Sequence, residues 1–302
     1  MRQLPRAELD LDASALRGWP LPPHERADKR TRGTVLAIGG TAMTPGAIML
    51  AGTAALRAGA GRLQLATDRV AAPMVAVAMP EALVVPTDLS ARSSLSAIVA
   101  EADAVVVGPG LLDRVQAVDV VAFVLARARA DAVVVVDACC ISAVVADPAL
   151  PPRRGRVVIT PNRDELDDLL VTSDGERPTE ATVAHRYGVV VASFGRVAAP
   201  DGRSWTDPTD VIGLGTSGAG DVLAGMVAGI GARCGDAAQA ACWSTLTHRL
   251  AATRLSSTIA PLGYLARELC DEIPRTIAGM SPDIRSAPRV PDAVDVDGLE
   301  RP

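Results

Sequence analysis

The chain has 302 residues, 49% of them apolar, with 30 Lys and Arg against 35 Asp and Glu, for a net charge of −5. Aromatic residues make up only 2% and no basic stripe is visible, which argues against the stacking platforms and cationic faces that bind nucleic acid. No apolar run reaches the length of a membrane span, MRQLPRAELDLDAS lacks an apolar signal core, and five cysteines without CxxC spacing read as mostly buried, reduced thiols, so a cytoplasmic protein is expected.

Residues 1–32 are rich in Pro, Arg and acids and read as a partly extended lead-in arm. Thr34 to Ile38 is a buried strand ending in Gly39-Gly40, followed by a small-residue helix from Pro45 to Ala58. Strands follow at Arg62 to Ala66, Ala82 to Val85 and Ala104 to Val107, the last ending in Gly108-Pro109-Gly110. Val115 to Arg129 is a helix. Ala132 to Val136 is a strand ending in Asp137, and Arg156 to Ile159 is one ending in Thr160-Pro161-Asn162. Asp164 to Leu170 and Glu180 to Tyr187 read as short helices. Strands at Val189 to Ala192, Val197 to Ala199 and Ser204 to Thr206 come next, the last two joined by Pro200-Asp201-Gly202. Helices at 219–231, 236–254 and 262–277 close a single domain, 33–278, and the proline-rich tail 279–302 is expected to lack order.

Strands that are apolar throughout and separated by helices imply an α/β fold with a mainly parallel sheet covered on both faces. The Pro-Asp-Gly pair implies a late antiparallel edge hairpin. Turn or acid residues follow the carboxyl end of four strands, and in open α/β sheets those ends line the ligand crevice. The sharpest motif is GTSGAGDVLAGMVAGI, residues 215–230. A glycine-rich turn opening a helix presents free N–H groups to a phosphate. Asp221 at the head of that helix can take a proton from a substrate hydroxyl. Nucleotide-dependent chemistry on an alcohol is the expectation. His24, His185 and His248 have no metal-ligand spacing, and His248 reads more readily as a packing residue. The vicinal pair Cys139-Cys140 reads as buried thiols at a helix start.

These motifs resemble the ADP/ATP-dependent NAD(P)H-hydrate dehydratases of the ribokinase-like superfamily. The resemblance is carried by 33–67, MPEALVVP, ADAVVVGPGL, VVVVDA, ITPNRDEL and 207–230, and covers about residues 29–277 as a stand-alone dehydratase domain with no epimerase domain in front. It implies a ribokinase-like three-layer α/β/α fold. It also implies repair of hydrated NADH or NADPH (NADHX, NADPHX), by phosphorylating the ring hydroxyl from ADP or ATP and losing phosphate. On this resemblance Asp221 is the base, and Ala47, Gly110, Asn162 and Asp221 line the hydrate pocket. The nucleotide lies on Ala192, Ser193, Gly195, Thr216, Gly218, Ala219 and Gly220. Mg²⁺ bridges the phosphates near Glu165, and the chain forms a homo-oligomer.

The sequence departs from the family pattern at several positions. Asn162 stands where the family has His, Cys139 where it has a second acid, and Leu112 where it has the last glycine of GPGLG. No lysine lies between Val191 and Gly195, which removes a charge-assisted phosphate contact of about 1.5–3 kcal/mol. Two other readings stay open. One is a small-molecule or sugar kinase of the same superfamily, toward which TPNRDEL and GTSGAGD drift. The other is a catalytically impaired, nucleotide-binding homologue.

Overall fold

The structure, a computed structural model, describes residues 8–23, 28–88, 95–146, 155–169 and 179–281. The strands are β1 Glu8–Asp10, β2 Thr34–Ile38, β3 Arg62–Asp68, β4 Ala82–Thr87, β5 Ala104–Val107, β6 Val133–Val136, β7 Val157–Ile159, β8 Val190–Ser193, β9 Arg196–Ala198 and β10 Ser204–Thr206. The first helices are α1 Ala13–Arg17, α2 Pro45–Arg57, α3 Ala72–Ala78, α4 Ser96–Glu101, α5 Arg114–Arg127 and α6 Ser142–Ala146. They are followed by α7 Arg163–Asp168, α8 Glu180–Tyr187, α9 Ala219–Cys234, α10 Ala237–Thr258 and α11 Ala266–Met280. One sheet runs β1-β10-β9-β8-β7-β6-β5-β2-β3-β4. From β8 through β4 every pairing is parallel, while β9 runs antiparallel to both β8 and β10.

The all-apolar strands are explained by burial on two faces. Val35, Ala37, Val106 and Val135 point into one core with α2, α9, α10 and α11. Their neighbours Leu36, Ile38, Val107 and Val136 point into a second core with α4, α5, α7 and α8. Successive side chains alternate across a strand, so a β-sheet between two helical layers needs apolar residues at every position.

The strands and the larger helices lie where the sequence places them, within a few residues. Helix α11 extends to Met280, past the expected start of the tail, and 282–302 lie outside the described residues. The short helices α3 and α4 were not expected. Nor was the structure in the arm: β1 pairs with β10 in parallel, and Asp12 caps α1 by accepting the Ala15 N–H at 2.8 Å. The arm is then pinned by α10. Gln239 donates to the Trp19 and Pro20 carbonyls, and the Trp243 indole N–H donates to Trp19 at 2.8 Å.

Helix α9 lies against α2 with almost nothing between them. A Cβ on Gly225 would sit 2.0 Å from the Ala51 carbonyl oxygen, and one on Gly229 would sit 2.4 Å from that of Ala55. Replacing a helix-interior glycine by alanine favours the helix by about 1 kcal/mol. A contact of 2.0 Å reverses that sign, because two backbones must part. Gly225→Ala is therefore expected to destabilise by about 2–3 kcal/mol in denaturant unfolding. Gly220→Ala, whose Cβ would meet nothing within 4 Å, should leave stability unchanged or raise it by up to about 1 kcal/mol.

Candidate active site

The chain runs β2, β3, β4 outward and then returns so that β5 pairs with the other side of β2. Such a reversal opens a crevice at the carboxyl ends of the strands. Here it is built by close backbone approach. The Gly40 N–H donates to the Pro109 carbonyl at 2.8 Å, and a Cβ on Gly39 would lie 2.1 Å from that oxygen. Gly108, at φ 129°, would place a Cβ 2.0 Å from the Asp137 carbonyl oxygen. The Thr44 hydroxyl donates to the Gly110 carbonyl at 2.6 Å, and the Cβ position of Gly110 lies 3.0 Å from the Ala47 Cβ. Ala47 and Gly110, far apart in sequence, thus form one small-walled corner.

Along the same rim the Thr160 hydroxyl donates to the buried Asp137 carboxylate at 2.7 Å, and the Ser193 hydroxyl donates to the Pro161 carbonyl at 2.8 Å. Beyond them lies a cleft of about 740 Å³. Its lining includes Asn162, Ser193, Gly195, Gly215, Ala219 and Gly220. Cβ atoms added to Gly215 or Gly220 would meet nothing within 4 Å, so the backbone at the head of α9 faces open space. Gly218, at φ 87°, takes the left-handed turn into that helix. The β8–β9 turn carries Phe194 at φ 46° and Gly195 at φ 80°. A bulky residue at positive φ is strained, and such strain persists where surrounding structure fixes it. Here the Arg163 guanidinium stacks 4.8 Å above the half-exposed Phe194 ring.

Asp221 stands at the head of α9, beside the cleft-lining Ala219 and Gly220. It lies in the first turn of α9, half-buried, next to Gly218, whose Cβ position is 2.6 Å from Leu50 of α2. Burial pushes its carboxyl up to about 6. Asp137 is pushed up to about 7 by burial, with smaller contributions from the charges of Asp221 and Glu165, against the Thr160 hydrogen bond that lowers it. Burial also raises Glu165. Asp137 therefore stands near enough to both Asp221 and Glu165 to feel their charges, and perturbed carboxyls of this kind gather at functional sites.

The remaining expected residues are placed unevenly. Thr216 lies in the turn before α9, its carbonyl accepting the Ala219 N–H. The Ala192 side chain is fully buried in the core, and the cleft lining begins at its neighbour Ser193. The side chain of Asn162 is engaged in capping: it accepts the Glu165 N–H, and Glu165 accepts the Asn162 N–H, both at 2.9 Å. Glu165 is thus a capping-box partner of α7, and among the described residues no cluster of three His, Cys, Asp or Glu is set to hold a metal. Cys139 sits in a separate pocket with Arg114 and Glu165, and Cys140 is buried beneath it. Two cleft residues were not singled out as ligands. His248 and Arg249 of α10 both line it, and Arg249 is held by Asp207 at 2.7 Å.

A family model described as NAD(P)H-hydrate dehydratase matches residues 35–275. The chain belongs to that family. It is 41% identical to the ADP-dependent (S)-NAD(P)H-hydrate dehydratase of Xanthomonas campestris, over 87% of this chain and 93% of that one. It is 32% identical to a bifunctional NAD(P)H-hydrate repair enzyme of Gloeobacter violaceus, covering 87% of this chain but only 53% of the longer protein. The Bacillus subtilis ADP/ATP-dependent dehydratase, co-crystallised with ATP and Mg²⁺, superposes with a TM-score of 0.78 at 26% identity, over 91% of this chain and 99% of that one. The ribokinase-like three-layer fold expected from the sequence is the fold observed.

The raised Asp137 carboxyl gives this dehydratase-family site a stability signature. Its folded-state value lies above its unfolded one, so the buried charge penalises folding at high pH and the penalty fades as pH falls. Asp137→Asn, which keeps an oxygen for Thr160, should raise Tm above about pH 8 by the equivalent of at most about 4 kcal/mol. The gain should vanish by about pH 4, as measured by melting curves across pH.

Proposed function

We propose that this protein dehydrates hydrated NADH and NADPH at the expense of ADP or ATP. The observation that carries the reading is Asp221: a half-buried carboxylate raised to about 6, in the first turn of α9 beside the open glycine backbone at that helix N-terminus. A value near operating pH suits a general base. Above about pH 6 Asp221 is charged and takes the proton from the ring hydroxyl. The N–H groups of Gly218 and Gly220, beside Ala219 and with the α9 dipole, hold the transferring phosphoryl group where its charge develops. ADP or ATP supplies that group and is left as AMP or ADP, and departure of the resulting phosphate together with a proton from the adjacent ring carbon restores the double bond of the dihydronicotinamide.

Mg²⁺ fits the same reading. It keeps several waters and binds mainly to phosphate oxygens, so a dedicated protein cage is not required. The raised Glu165 carboxylate stands near enough to Asp137 to interact with it and would reach the ion through water. The lysine missing from the end of β8 leaves cations of another kind in the cleft. Arg163, Arg196 and Arg249 all line it, and guanidinium groups bind phosphate through paired donors.

No helix among the described residues is long and apolar enough to cross a membrane. All five cysteines are free, which supports a reducing compartment such as the cytoplasm. Self-association is part of the same reading. It is supported by exposed Val70, Met74, Val77 and Leu83 along the α3–β4 edge, and light scattering measures it.

With NADH hydrate and either ADP or ATP, the purified protein should restore the near-ultraviolet absorbance of the dihydronicotinamide. Turnover with neither nucleotide would reject the reading. Asp221→Asn should lower the rate by about 10²–10⁴ with Tm preserved. The wild-type rate should fall about tenfold per pH unit below about pH 6, as the base is protonated.

A further inference from the structure

A second cavity on the carboxyl rim has no part in the proposed reaction. It holds about 360 Å³ and lies between the start of α5, the turn after β6, and α7. Its walls include Arg114, Cys139, Glu165 and Asp168. Of the vicinal cysteines only Cys139 lines this space, and Cys140 is fully buried. The other three thiols are poor nucleophiles: burial pushes Cys234 up to about 11 and Cys270 up to about 12, and raises Cys242 as well.

The surroundings of Cys139 act the other way. A hydrogen bond from Cys140 and the charge of Arg114 hold its thiol below the ordinary range, against burial and the charges of Glu165 and Asp113. The same contact, with burial, pushes Cys140 up, so Cys140 keeps its proton. As a thiol, Cys139 donates to the Leu111 carbonyl at 3.2 Å. Losing the proton gives up that bond and leaves the sulfur to the cavity. The thiolate is the attacking form of cysteine, and a partly open site beside a cation favours it.

The walls carry both signs of charge. Arg114 offers paired donors to a carboxylate, while Glu165 and Asp168 offer acceptors to an ammonium. These groups are close enough that Arg114 and Asp168 both act on the charge of Glu165. A ligand holding a carboxylate and an ammonium on one carbon meets both sets, and a neutral ligand meets neither.

We propose that Cys139 is a site of reversible thiolation by small disulfides that carry an α-amino-acid group. The Cys139 thiolate attacks one sulfur of the disulfide. A new S–S bond forms as the old one breaks, and the other half leaves as a thiolate. The Cys139 sulfur is oxidised and the departing half is reduced, so the disulfide itself is the oxidant. The adduct also bears on the Ala47–Gly110 corner, because Leu111, the neighbour of Gly110, loses its bond to Cys139.

The folded protein, incubated near neutral pH with cystine or with hydroxyethyl disulfide, tests this by intact mass and peptide mapping. Each rate is divided by that of a free model thiol with the same disulfide. One adduct should form, on Cys139, and dithiothreitol should remove it. Cystine should be preferred at least about tenfold over the uncharged disulfide. Cys139→Ser should take no adduct while melting like the wild type, and Arg114→Gln should bring the preference to about one. First reaction at another cysteine, no adduct at all, or no preference for cystine in the wild type would overturn the assignment. So would a preference that Arg114→Gln leaves intact.

Discussion

The structure depends on the contact between α2 and α9. These helices meet backbone to backbone, with Gly225 over Ala51 and Gly229 over Ala55. That closeness leaves no slack at the head of α9, where Gly218, Ala219, Gly220 and Asp221 sit. The same α2 begins at Pro45 and carries Ala47 against Gly110. One helix pair therefore fixes the distance from the open glycine backbone at the head of α9 to the Ala47–Gly110 corner. Phosphoryl transfer asks little covalent chemistry of a protein and much positioning, so a rigid pair of small-residue helices suits the task.

The second constraint is electrostatic. Asp137 lies within electrostatic reach of Glu165 and Asp221 at one end of the sheet, and burial raises all three carboxyls. A protein selected for stability alone would not keep them together. Their grouping makes sense where a proton must leave a hydroxyl and phosphates with their counter-ions must settle beside it.

Much of this was legible in the sequence for definite physical reasons. Strands buried on both faces are apolar throughout, so β2, β5, β6 and β7 stand out with their boundaries nearly right. Glycines after strands signalled the rim because only glycine allows the approaches seen at Gly39 and Gly108. The short elements were not legible. β1 exists because β10 is there to pair with it, and Trp19 is held by Gln239 and Trp243, more than two hundred residues away. The Asn162–Glu165 spacing is also a capping-box signature, and both side chains make that cap in α7. His248 reads as a packing residue, and the structure buries it against the backbone of Ala219.

The central claim is that the substrate hydroxyl itself is phosphorylated and leaves as part of phosphate. The most direct measurement uses NADH hydrate carrying a heavy-oxygen label in the ring hydroxyl, turned over with ADP and analysed by mass spectrometry of the products. The account predicts the label in inorganic phosphate. Label released into water, with unlabelled phosphate, would contradict it.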